Sequence, residues 1–190
     1  MEHKDIIVKL SQHLSPKRLQ HSIGVSRTAE SLAKRYDYDV MQARLAGILH
    51  DCAREIPRNQ LWLKAKKLGI AADDVVVRAE PVLLHAPLGA VVAQKEYGVT
   101  DRAVLAAIVS HTTGGRGMTL LAKIIYLADA IEPGRSFSGV DELRNAAEQD
   151  LNQALLLAYD QSIKYILDKH SLIHPDTVDG RNELLLIGKT

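Results

Sequence analysis

Ala46-Gly47-Ile48-Leu49-His50-Asp51-Cys52-Ala53-Arg54 is an apolar helical run that ends in a histidine and an aspartate side by side. Burying such polar groups without partners costs roughly 2–7 kcal/mol. A divalent metal satisfies both at once, because imidazole nitrogen and carboxylate oxygen are good ligands for zinc, iron or manganese. The pair alone equally fits a core histidine bonded to a backbone carbonyl. The metal reading therefore depends on further ligands elsewhere in the chain.

Working outward, Asp39 is placed to cap this helix, which is expected to run to about Arg54 before Pro57 breaks it. Upstream, Ile6, Ile7, Leu10 and Leu14 suggest a first helix. Ser15-Pro16 reads as an N-cap with proline in the first turn, opening a helix to about Tyr36. Downstream, 60–68 reads as a helix stopped by Gly69, followed by a short acidic turn or helix from Asp73 to Glu80. His85 opens a helix that stops at Gly98, and Thr100 is placed to cap the next, which ends at His111. Thr112-Thr113-Gly114-Gly115-Arg116-Gly117 is a loop by composition. Residues 119–131 form a strongly apolar helix carrying Asp129, ended by Pro133-Gly134. One long helix or two should follow over 143–169, then a short helix or tail after Pro175. No period-two run is convincing, so the expected fold class is all-α.

The chain has 190 residues, and no repeat, low-complexity segment or linker divides it, which favours a single domain. With one Trp, one Phe and six Tyr, packing falls to Leu, Ile, Val and Ala. A net charge of +1 gives no sign of a nucleic-acid or membrane partner. The single cysteine, Cys52, excludes an internal disulfide and fits a reducing compartment. No apolar run approaches the roughly 20 residues of a membrane span. The charged segment Met1-Glu2-His3-Lys4-Asp5 lacks a signal-peptide core. A cytoplasmic protein is expected.

Four further candidates sit at helix ends or on apolar helix faces, His21, His85, His111 and Asp129, while His3, His13, His170 and His174 look ordinary. Each has a plain alternative: His21 as a surface residue, His85 as a first-turn residue without duty, His111 as a helix cap, Asp129 as a bonded core carboxylate. Taken together, the order His…His-Asp…His…His…Asp on an all-α chain resembles the HD-domain metal-dependent phosphohydrolases, from about Arg18 to Arg135. Leu84-His85 with Gly89-Ala90, His111-Thr112-Thr113-Gly114, and Lys123-Ile124-Ile125-Tyr126-Leu127-Ala128-Asp129-Ala130-Ile131-Glu132-Pro133-Gly134-Arg135 look like the bacterial YqeK family. So does the closing segment His174-Pro175-Asp176-Thr177 with Arg181-Asn182, where Gly180 replaces an expected alanine.

The resemblance implies one HD domain, with a core over about residues 18–135 and the C-terminal helices of 140–190 packed on it. It implies His21, His50, Asp51 and Asp129 as first-metal ligands, with His85 and His111 as the extra histidines of two-metal members. It implies symmetrical hydrolysis of dinucleoside tetraphosphates, diadenosine tetraphosphate giving two ADP. It favours iron over manganese, cobalt or zinc, and is compatible with a homodimer.

The residue types agree. Neighbours on a helix point about 100° apart, so His50 and Asp51 cannot chelate from one face. Asp51 is suited instead to bridge two metals with its two oxygens. Two metals about 3.5–4 Å apart, sharing a hydroxide, clamp an in-line phosphoryl displacement. Such a substrate calls for cations. Arg18 shares a helix face with His21, Arg54 follows Asp51 by about one turn, and Arg135 follows Pro133-Gly134 on a turn that can aim it at the site. Thr112 and the amides after it offer a phosphate cradle. Glu132 could orient a water or a histidine, and Lys123 sits off the Asp129 face. Two other functions fit less well: another HD phosphohydrolase acting on nucleoside monophosphates or a guanosine alarmone, and a nucleotide-binding regulator without turnover. The presence of all six ligands argues against the regulator.

Overall fold

In a computed structural model, residues 2–70 and 74–187 are described, and they form eleven α-helices and one 3-10 turn with no strand among them. The helices are α1 His3–Leu10, α2 Pro16–Arg35, α3 Val40–Leu49, α4 Arg58–Lys67, α5 Val75–Ala79, α6 His85–Tyr97, α7 Arg102–Ser110, α8 Leu120–Ile131, α9 Val140–Ala147, α10 Leu151–Asp168 and α11 Pro175–Ile187. The 3-10 turn is Pro81–Leu84. The expected all-α class holds. Asp73, the expected start of the acidic turn or helix that runs to Glu80, lies outside the described residues; the helix there is Val75–Ala79, capped by Asp74.

Helix α8 is the axis of the core. Leu121, Ile124, Ile125, Leu127 and Ala128 on it are all buried, as befits a helix apolar on nearly every side. Helices α2, α3, α7, α9 and α10 pack around it. Gly47 lets α3 approach α2: a Cβ there would stand 2.8 Å from the Ser26 Cα. That close approach sets the end of α3 against the face of α2 that carries His21. A smaller apolar cluster of Ala53, Leu61, Ala65, Val77, Leu84 and Leu88 sits beneath α4 and the 3-10 turn.

Several boundaries differ from expectation. Helix α3 ends at Leu49, not near Arg54. The His50 ring bonds the Gly47 carbonyl at 2.8 Å, the acceptor that the next helical amide would use. The chain then tightens into turns, with Cys52 N donating to Leu49 O and Arg54 N to Asp51 O. Asp101, not Thr100, caps α7, since its carboxylate accepts from the amides of Ala103 and Val104. Residues 143–169 form two helices, because Asp150 starts a new one by accepting from Asn152 N and Gln153 N. The segment after Pro175 is a full helix. Among the described residues no helix is long and apolar enough to cross a membrane.

Candidate metal centre

Three helical segments end at this centre, each on a histidine: α3 at His50, the 3-10 turn at His85 and α7 at His111. The C-terminal end of a helix carries partial negative charge and favours a cation. Each ring turns back on its own segment. Nδ1 of His50 faces Gly47 O at 2.8 Å, Nδ1 of His85 faces Val82 O at 2.5 Å, and Nδ1 of His111 faces Ile108 O at 2.7 Å. A carbonyl only accepts, so each Nδ1 carries the proton and each Nε2 presents a lone pair. His21, on α2, reaches the same state differently: its Nδ1 lies 3.1 Å from a carboxylate oxygen of Glu132.

The four Nε2 atoms converge. His21 and His50 are 3.3 Å apart through Nε2, and His85 and His111 are 3.1 Å apart. The His21 Nε2 lies 3.0 Å from Asp129 Oδ1. Lone pairs facing one another at such distances repel unless a cation lies between them, so this donor set fits metal ions. Asp51 stands between the two pairs. Its Oδ2 is 3.5 Å from His50 Nε2 and 3.8 Å from His21 Nε2, while its Oδ1 is 3.2 Å from His85 and 3.5 Å from His111. His21, His50 and Asp129, and also His50, Asp51 and His111, each gather ligand atoms within 4.8 Å of one another.

Burial and charge are matched. His50, Asp51, His85 and His111 are at most 4% exposed. Burial alone would raise the Asp51 carboxyl, but His50 and the rings of His111 and His85 hold it well below the usual range. Asp129 follows the same pattern, with His21, His50 and Arg135 outweighing burial. Burial disfavours charge on His50, yet Asp51 and Asp129 lift its pKa above the ordinary imidazole value. For His85 burial wins and its pKa is lowered. Both carboxylates are therefore anionic at neutral pH, as metal ligands must be. Cys52 is not part of the donor set; burial pushes its thiol up to about 12, and Sγ donates to Gly89 O at 3.3 Å.

The four residues expected to meet phosphate are placed unequally. Arg18 bonds Asp51 Oδ2 at 2.8 Å. Arg135, expected on a turn that aims it at the site, grips Asp129, through Nε to the carbonyl at 2.8 Å and through Nη2 to the carboxylate. The six-residue step between them spans the α8 C-terminus and the Pro133-Gly134 turn, which folds Arg135 back onto its own helix. Thr112 Oγ1 lies 3.2 Å from His85 Nε2 and 3.1 Å from His111 Nε2, so it sits on the second histidine pair. Arg54 is half-buried and makes no ion pair among the described residues. Lys123 bonds Asn152 instead of the centre.

Two further residues support the centre: Glu132, whose role the sequence left open between a water and a histidine, and Arg144, which the sequence did not single out. Glu132, 5% exposed, orients His21 with one oxygen and accepts from Gly134 N at 2.6 Å with the other. The signal was its place three residues after Asp129. Arg144, on α9, donates to the carbonyls of Ile131, Glu132 and Arg135 at 2.9–3.1 Å. It thereby holds the turn that carries Glu132 and Arg135, and no local pattern announces it.

Residues 18–134 match the HD domain family. The chain is 43% identical to a symmetrical bis(5′-nucleosyl)-tetraphosphatase of Halalkalibacterium halodurans over 92% of both chains. It is 41% identical to one of Bacillus subtilis, over 93% of this chain and 94% of that one. The crystal structure of a predicted HD superfamily hydrolase involved in NAD metabolism from Clostridium acetobutylicum matches with a TM-score of 0.94 and 43% identity, covering 98% of each chain. The HD domain and the His/Asp cluster together indicate divalent-metal binding. By the HD match over most of its length and by these relatives, the chain belongs to the HD-domain family, and within it to the YqeK group.

Proposed function

We propose that this chain hydrolyses dinucleoside tetraphosphates, splitting diadenosine tetraphosphate symmetrically into two ADP. The observation that carries the reading is Asp51, whose two oxygens face two different histidine pairs. The relatives bearing that activity in their names share nine-tenths of their length with this chain. His21, His50, Asp51 and Asp129 would hold a first transition-metal ion, and Asp51, His85 and His111 a second. Imidazole with carboxylate suits iron, manganese, cobalt or zinc above magnesium or calcium; iron is our assignment, on the YqeK resemblance. When bound, such ions supply Lewis acidity and an activated water at neutral pH.

The residues of the chain do the rest. Asp51 and Asp129, anionic at neutral pH, give the centre negative charge to hold cations. Glu132 keeps the His21 lone pair aimed inward. Arg18 and Arg135 bring positive charge to the rim, where charge-assisted bonds to phosphate oxygens are strong. Each touches only one carboxylate oxygen, so further donors on each guanidinium are available. The middle of a tetraphosphate is its most charged part, and water added across the central P–O–P bridge gives two identical diphosphates. The residues after Asp150 are read as part of the same domain, because Leu151, Leu155, Tyr159 and Leu184 share one buried cluster with Ile124 and Leu127. A cytoplasmic setting fits the nucleotide substrate and the lone buried Cys52.

The test is chromatography of the products from diadenosine tetraphosphate and metal-loaded protein. ADP alone is expected. AMP with ATP would contradict symmetrical cleavage.

A further inference from the structure

The C-terminal helix does more than cover apolar surface. Three bonds tie the 112–117 loop to α10 and α11. Thr177 Oγ1, on α11, donates to Thr113 O at 2.9 Å. Gly115 N donates to the Tyr159 hydroxyl of α10 at 3.1 Å, and Gly117 N donates to Glu183 of α11 at 2.8 Å. Helix α11 comes close through Gly180, where a Cβ would lie 2.5 Å from the Tyr159 hydroxyl and 2.8 Å from Gly115 O. The glycine that departs from the expected closing motif is thus in direct use. Thr177 and Tyr159 are buried at 4% and 1% exposure, so their two ties are shielded from water, while the Gly117–Glu183 bond is exposed.

The tied loop begins at the metal centre. Thr112 precedes Thr113 directly, and its hydroxyl spans His85 Nε2 and His111 Nε2. Those two rings have no carboxylate behind them; their Nδ1 partners are backbone carbonyls. We propose that α11, through Thr177 and with Tyr159 of α10, is a positioning element for the His85–His111 half of the centre. It holds the loop so that Thr112 stays across that pair. Thr177 and Tyr159 are positioning residues, acting through Thr113 and Gly115 without touching substrate. The inference rests on the two-metal reading above.

The experiment is metal counting and steady-state kinetics on the full chain, comparing wild type with Thr177→Val, Thr177→Ser and Tyr159→Phe. Valine keeps the shape of threonine and removes only the hydroxyl. Partners that orient metal ligands typically change affinity 10–100-fold when lost; one step further out, the second ion should bind roughly tenfold more weakly. At an ion concentration that nearly fills both wild-type sites, Thr177→Val is expected to fill its second site only about half and to lower kcat with little change in KM. Thr177→Ser should restore both, and Tyr159→Phe should follow valine in the same direction. A two-ion wild type whose Thr177→Val and Tyr159→Phe variants keep both ions and normal kcat, with only the melting temperature moved, would overturn this proposal alone. A wild type that takes up at most one ion would overturn the two-metal reading and this inference with it.

Discussion

His21 and Asp129 are braced by charged side chains, whereas His85 and His111 are braced by main chain. In the first half Glu132 backs His21, Arg135 grips Asp129, and the side chains of His21 and Asp129 are 11% and 21% exposed. In the second half Val82 O and Ile108 O back the rings, which are almost fully buried. The first half can offer two carboxylates to an ion, Asp129 and Asp51; the second has Asp51 alone. More anionic ligands bind a divalent ion more strongly. The first site should therefore be the tighter, and the second the one that answers to the geometry of loop and helix.

The sharpest break in this contrast is Asp51→Asn, since Asp51 faces both halves. Elemental analysis should find both ions lost and turnover at background. Next, His111→Ala should remove the second ion and leave the first. If it strips both, the halves are not separable. Glu132→Ala should act on the other side, weakening the first ion by roughly 10–100-fold because the His21 ring loses its carboxylate; metal competition titration reads this. Arg135→Ala should cost a charge-assisted contact of about 1.5–3 kcal/mol, roughly tenfold to a hundredfold in rate. Because Arg135 also grips Asp129, a smaller weakening of the first ion should accompany it.

The smallest effect is in pH. In metal-stripped protein the Asp51 and Asp129 carboxyls stay below their ordinary pKa of about 3.9. A depressed folded pKa adds stability that is complete above the ordinary value and is lost as pH falls beneath it. The melting temperature of the stripped protein should drop progressively as pH falls below about 4, and Asp129→Asn should flatten that drop.

Much of this was legible because local chemistry announces it. Ser15-Pro16, Asp39 and Gly98 marked helix ends that the structure keeps, since caps act within one turn. The six metal-loving residues could be picked out because histidines and aspartates in apolar helices demand partners. What stayed hidden was contact across the fold. Arg144 reads as an ordinary i, i+3 partner of Asp141, and only the folded chain puts it on three carbonyls at the end of α8. Thr177 lies 64 residues from Thr113, so no spacing rule relates them. The turn after Pro133-Gly134 was legible as one that aims Arg135 at the site, but its grip on Asp129 shows only in the folded chain.

The central claim is that one aspartate serves two ions, and metal counting on fully loaded wild-type protein tests it most directly. The account predicts a stoichiometry near two per chain. A stoichiometry near one would contradict it.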